Sequence, residues 1–304
     1  MELIRPDTRI DFIGKRKYAL LISTIVILIS FGSIFLHGGL KYGVDFAGGI
    51  LLQIRFSKAV DISEVRNAME DIGSKDANVQ KFGGENEFLI RIEKSSEDLE
   101  TLSKKMQTSL QGRFKDKPVE IRRVEVVGPK VGKDLKVRAL WAVGLSFAAI
   151  LVYVAFRFHT FSYGMGGIVA LVHDVIVTYG AISIFALEYS LSTLAVILTI
   201  IGFSINDTIV IFDRVRENIK KMRKEDLATI MNVSINETLG RTILTSGTVM
   251  MVVLILFFFG GPVIHEFTIA MIVGLITGTY STVYIASPVV LAWDQYVIKR
   301  MKRR

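Results

Sequence analysis

The sequence predicts a polytopic α-helical membrane protein, with six transmembrane helices and one extracytoplasmic α+β domain of ferredoxin-like type between helices 1 and 2. Three observations carry that prediction. Hydrophobic residues make up 51% of 304 and charged residues only 22%, with a mean hydropathy of +0.45, so part of the solvent must be lipid. The apolar residues gather in six runs, each near the ~20 residues that cross ~30 Å of hydrocarbon. Between the first two runs lies one polar stretch whose periodicity switches between strand and helix.

In chain order, a basic segment at 1–17, with Arg5, Arg9, Lys15, Arg16 and Lys17, precedes the first span at Tyr18–Leu36. That span is longer than a signal-peptide core and no A-x-A-like site follows it, so it reads as an uncleaved anchor. The extracytoplasmic domain occupies 40–133. Leu40–Phe56 reads as a strand with a bend at Gly48-Gly49, and Asp61–Ile72 as a capped helix with Ile62, Val65, Met69 and Ile72 on one stripe. Asn78–Phe82 and Glu87–Ile92 read as two strands, Ser96–Phe114 as a helix striped by Leu99, Leu102, Met106 and Leu110, and Val119–Val127 as a last strand. The order βαββαβ is the ferredoxin-like arrangement. Gly128-Pro129 marks the boundary.

The remaining spans fall in 137–293: Val137–Phe156, Tyr163–Leu187, Leu191–Phe212, Thr242–Phe259 and Phe267–Trp293, with a basic loop at 214–241 and a basic tail at 294–304. The links Glu188–Ser190 and Gly260–Glu266 carry no Lys or Arg, whereas Arg214–Arg241 is rich in both. Both termini are therefore expected in the cytoplasm. The net charge of +8 is explained by these span ends and not by a nucleic-acid footprint.

Cysteine is absent, which excludes disulfides, thiolate metal sites and a Cys nucleophile. Gly128–Lys133 is one residue short of a P-loop, His265-Glu266 does not extend to H-E-x-x-H, and Thr245-Ser246-Gly247 lacks the leading Gly of a nucleophile elbow. Asn232 and Asn236 match glycosylation sequons on the expected cytoplasmic side. No enzyme active site, metal or cofactor is expected.

Ionisable residues inside spans point to function by default. Asp207 lies six residues before Asp213, so roughly 9 Å inside the fourth span's cytoplasmic end, too deep and too short to snorkel. Ser204, Asn206 and Thr208 offer it partners. Asp207 is either a proton carrier or a carboxylate held by packing hydrogen bonds. Arg241, at the start of the fifth span, is either its ion-pair partner or an interfacial anchor. His173-Asp174, in the third span, is either a proton relay or a packed polar pair, and adjacent helical residues point about 100° apart. Gly274 and Gly278 form a small-xxx-small pair for helix packing.

Several longer stretches resemble the SecF family within the SecD/SecF group. They are Tyr42-Gly43-Val44-Asp45-Phe46-Ala47-Gly48-Gly49, Ala170-Leu171-Val172-His173-Asp174, the run from Ser204 to Asn218, the run from Asn236 to Gly247, and Gly260-Gly261-Pro262. The likeness covers most of Tyr42–Pro288. It implies an RND-like half-transporter architecture in the bacterial inner membrane. It also implies a role with SecD in proton-motive-force-driven export of preproteins through SecYEG, often with YajC, after SecA has driven the early steps. Protons would be the only coupling species, and no cofactor is implied. Carried over, the family's proton-pathway Asp falls on Asp207 and its essential Arg on Arg241; Asn206, Asp174 and His173 join them as candidates for the proton pathway on their own positions in the spans. Gly43, Asp45, Phe46, Gly48 and Gly49 form its extracytoplasmic motif. Two other functions remain for such a chain: a non-conducting scaffold of the export complex, or half of an RND-type small-molecule exporter.

Overall fold

The computed structural model describes residues 9–74, 77–92, 98–158 and 161–301. Arg5, Ser96 and the basic residues 302–304 lie outside them. The elements are α1 (Arg16–Leu36), β1 (Lys41–Tyr42), α2 (Val44–Ala47), β2 (Gly49–Phe56), α3 (Ile62–Asp71), β3 (Asn78–Lys81), β4 (Glu87–Ile92), α4 (Leu99–Arg113), β5 (Val119–Val127), α5 (Pro129–Phe158), α6 (Phe161–Ile184), β6 (Glu188–Tyr189), α7 (Leu191–Lys221), α8 (Leu227–Phe259), α9 (Pro262–Ser281), a π-helical segment (Thr282–Ala286) and α10 (Ser287–Met301). They form two compact units, one of Lys41–Trp141 with Glu188–Leu191 and one of the remaining helices.

The first unit holds an antiparallel sheet in the order β3-β4-β2-β5, which is the ferredoxin-like topology. Alternation along β2 sends Ile50, Leu52, Ile54 and Phe56 to one face, where they meet Phe88 and Ile90 of β4, Val65 and Met69 of α3, and Met106 and Leu110 of α4. Each such side chain contributes about 1.5–3 kcal/mol on burial. Asp61 and Asp98 cap α3 and α4, accepting from the Ser63 and Thr101 N–H groups at 2.8 and 3.1 Å.

The expected single strand Leu40–Phe56 is instead broken by α2. Gly48 and Gly49 adopt φ of +78° and +130°, a left-handed region that reverses the chain and lets β2 start afresh.

Among the described residues six helices are long and apolar enough to cross a membrane. α6, α7 and the last helix are the buried members, while α1, α5 and α8 turn most of their surface outward. Small residues permit close approach: a Cβ added at Gly180 would strike Ser30 of α1, and one at Gly278 would lie 3.2 Å from the Ser204 Cβ of α7. Gly274 meets Ile200 of α7 in the same way.

Three boundaries differ from the sequence reading. α5 starts at Pro129, a residue whose fixed φ suits a helix's first position, so the boundary segment is helical. The expected basic loop 214–241 is mostly helix, with only a short turn between α7 and α8. Its polar side chains find partners there: Arg214 bonds Glu237 and Glu217 at 2.7 and 2.8 Å, and Asn218 bonds Ser234 and Glu237 at 3.0 and 2.6 Å. The sixth span carries the π-helical segment ahead of Pro288, whose missing N–H and ring disrupt the regular ladder at this point.

Candidate functional site

Four helices of the second unit bring hydroxyls and two carboxylates into one seam. Asp174 of α6 is 1% exposed. Its Oδ2 accepts from Ser204 of α7 at 2.6 Å and from Ser281 of α9 at 2.7 Å, and its Oδ1 lies 3.0 Å from His173 Nδ1. The two side chains thus meet each other, the packed polar pair that the sequence left open beside a relay. His173 Nε2, also buried, has no hydrogen-bond partner among the described residues. The Tyr280 ring lies 6.1 Å from that imidazole, and the Tyr280 hydroxyl donates to Ala19 O of α1 at 2.6 Å.

Asp207 of α7, 2% exposed, is held differently. Its one hydrogen bond among the described residues is a long one, accepted from Ser246 Oγ of α8 at 3.4 Å. Ser246 in turn accepts from Thr279 of α9 at 3.0 Å. Arg241 is exposed. It lies five residues before Ser246 on α8, and no ion pair joins it to Asp207 among the described residues. Thr208 of α7 and Thr282 of the π-helical segment pair their hydroxyls at 3.2 Å.

Of the residues singled out in the sequence, the fold thus gathers Asp207 with Ser246 near Arg241, and His173 and Asp174 with Ser204. Asn206 is not gathered: it is exposed on α7 and points away from the buried face. Reasoning from sequence missed Ser246, Thr279, Ser281 and Thr282. A polar face spaced along the last span, Gly278 to Thr282, was the available signal. It also missed the use of the two sequon asparagines. Asn232 accepts from the Phe12 N–H at 2.8 Å and Asn236 from the Ile10 N–H at 2.8 Å, so both strap residues 10–13 to α8.

In the first unit, Gly43, Asp45 and Phe46 cluster around β6. The Gly43 N–H donates to Tyr189 O at 2.9 Å, the Asp45 carboxylate accepts from the Leu191 N–H at 2.9 Å, and Phe46 stacks on Tyr189 with ring centroids 5.2 Å apart.

Among the described residues no group of His, Asp and Glu is arranged to hold a metal ion. The chemistry open to the seam is proton binding at carboxylates and movement of helices about hydroxyl contacts.

Comparison with known proteins gives one consistent result. Residues 105–296 match the family model for the protein export membrane protein SecD/SecF, C-terminal, and residues 33–60 match the SecD/SecF GG motif. The chain is 42% identical over 293 residues to the protein translocase subunit SecF of Endomicrobium trichonymphae, covering 96% of this chain and 94% of that one. It is 44% identical over 289 residues to SecF of Thermodesulfovibrio yellowstonii, covering 93% and 94%. The crystal structure of SecDF, a translocon-associated membrane protein from Thermus thermophilus, superposes with a TM-score of 0.84 at 35% identity. That match covers 96% of this chain but 40% of the SecDF chain, so the chain spans well under half of that protein.

Proposed function

This chain belongs to the SecD/SecF family of protein export membrane proteins, and we propose that it is a SecF-type translocase subunit driven by the proton motive force. In this reading it works beside a SecD-type partner in the bacterial inner membrane, with both termini in the cytoplasm. Together they promote the late stages of preprotein export through a SecYEG channel, with YajC as accessory and SecA acting earlier. No cofactor takes part, and protons are the coupling species.

The observation that carries the proposal is the state of Asp207: a buried carboxylate on α7, weakly held by one hydroxyl, with the fixed charge of Arg241 close by on α8. With Asp207 ionised, pairing to Arg241 draws α7 and α8 together at that level. With Asp207 protonated, Ser246 suffices as partner and Arg241 is released. The absence of an Asp207–Arg241 ion pair supports reading the present arrangement as the released one. In this reading His173 and Asp174, tied to α7 through Ser204, hold the helices beside the carrier and do not change protonation themselves. Asn206 has no part within this chain. The energy is adequate, since one charge crossing 100 mV supplies about 2.3 kcal/mol, comparable with a coupling free energy of about 1–3 kcal/mol.

A scaffold role is the second reading, favoured by the two short hydroxyl bonds that tie Asp174 to α7 and α9. The exporter reading has less support, with a single small outer domain in the chain. The deciding experiment is preprotein translocation in membrane vesicles carrying Asp207→Asn, with and without a proton gradient, once assembly with the SecD-type partner is verified. Loss of gradient stimulation in an intact complex is the expected result. Stimulation at the wild-type level would remove Asp207 from the pathway and leave the scaffold reading.

A further inference from the structure

The segment Tyr42–Gly49 is packed as a joint. Its turn α2 is clasped on two sides. On the first, β1 pairs in parallel with β6, Lys41 against Glu188 and Tyr42 against Tyr189, and Gly43 and Phe46 hold Tyr189 as described above. Asp45 adds the last grip, through the Leu191 N–H at 2.9 Å. Leu191 is the first residue of α7, and its N–H is one of those a helix cannot satisfy internally.

On the second side the turn meets the start of α5. A Cβ at Gly132 would lie 3.0 Å from Phe46 O and 3.1 Å from Gly48 N, and one at Gly48 would lie 3.1 Å from Pro129 Cα. Gly48 also has φ of +78°, so an L side chain there is excluded by conformation as well as by space. Lys136 of α5 lies over the Tyr42 ring, 3.6 Å from its centroid. The segment then runs directly into β2, which is bonded to β4 and β5 on either side. One short motif therefore grips the first residues of two long helices and is continuous with an inner strand of the sheet.

We propose that Asp45 is a coupling residue that transmits displacement of α7 to the outer domain. The proposal rests on the proton-driven reading above. Asp207 lies sixteen positions beyond Leu191 on the same unbroken helix, a distance of about 24 Å along its axis. An axial shift of α7 by one residue's rise, ~1.5 Å, would stretch the Asp45–Leu191 bond past the limit of hydrogen bonding. Asp45, α2 and β2 must then either follow α7 or release it.

The test uses the full chain reconstituted with its SecD-type partner and the channel. It reads proton entry and gradient-stimulated preprotein translocation in the same vesicles. Asp45→Ala is expected to keep proton entry within about twofold of wild type while gradient stimulation falls about tenfold. Asp45→Asn, whose side-chain oxygen still accepts from the Leu191 N–H, is expected to restore stimulation to within about twofold of wild type. Wild-type stimulation in Asp45→Ala would overturn the proposal, and so would equal loss of proton entry and translocation. If Asp45→Ala fails to assemble, Gly132→Ala serves instead, because its Cβ crowds the Phe46 carbonyl and leaves Asp45 in place. Its stimulation should fall at least about twofold with proton entry kept, and unchanged stimulation would count against the joint. Asp207→Asn, measured alongside, separates the two ideas: if it leaves both quantities at wild type, the proton-carrier reading fails whatever Asp45 does.

Discussion

Asp174 and Asp207 are both buried carboxylates in apolar helices, yet their surroundings differ in kind. Asp174 accepts from hydroxyls of two other helices at 2.6 and 2.7 Å and lies 3.0 Å from the His173 imidazole of its own helix. Asp207 has one hydroxyl at 3.4 Å and a cation nearby that it does not bind. The first is a clamp: α7 or α9 moving against α6 must give up a short bond. In the proposed reading the second is a switch, because little is lost when its partner changes. The comparison teaches that depth in the membrane alone does not mark a proton site; the number and length of the bonds a carboxylate already holds matter as much.

Substitutions can break or sharpen this contrast. The largest effect is expected from Asp174→Ala, which leaves Ser204, Ser281 and His173 without their acceptor. It should cost roughly 3 kcal/mol of stability, read as a lowered unfolding midpoint in detergent and loss of assembled complex. Asp207→Asn should cost under about 1 kcal/mol in the same assay, because Asn accepts from Ser246 equally well, while gradient stimulation disappears. An equal stability loss in both variants would erase the distinction between clamp and switch. Next in size, Ser204→Ala and Ser281→Ala should each destabilise by about 1 kcal/mol, and Ser246→Ala by less. Gly278→Ala should follow, at about 1 kcal/mol or below, since its Cβ would press on Ser204 at 3.2 Å.

The smallest effect belongs to the outer domain. Hydrogen bonds from the Ser63 hydroxyl and N–H hold the Asp61 carboxyl below its usual value of 3.8. A carboxyl lowered in the folded state stabilises above its unfolded pKa and loses that stabilisation as pH falls through the folded one. Hydrogen exchange in the first turn of α3 should therefore be faster in Asp61→Ala than in wild type at neutral pH. The two should converge in acid well below pH ~3.8. A difference that persists there would mean that the cap does not depend on the charge.

The outer domain was legible in the sequence because its strands and helices bury one face, and period 2 and period 3.6 declare that face directly. The exception, α2, depends on Gly48 at positive φ, and a Gly-Gly pair announces a bend without saying that a helical turn precedes it. In the membrane unit hydropathy located all six spans but stopped short of the ends of α7 and α8. Residues such as Asn218, Asn232 and Glu237 are polar yet helical, with partners that only the fold supplies. Asp207 was legible as a lone carboxylate in an apolar run. Ser246 and Thr279 were not, because hydroxyls in apolar helices commonly bond their own backbone, as Thr279 does to Leu275 O at 2.9 Å. Asn206 shows the opposite error: adjacency in sequence put it beside Asp207, and the helical turn carries it to the outer face.

The proposed function requires Asp207 to change protonation while Asp174 does not. Infrared difference spectroscopy of the reconstituted complex, taken between an imposed proton gradient and its collapse, tests this directly. A carboxylic C=O band should be present in wild type, persist in a folded Asp174→Asn variant, and vanish in Asp207→Asn. A band that survives in Asp207→Asn and vanishes in Asp174→Asn would contradict the account and exchange the two roles.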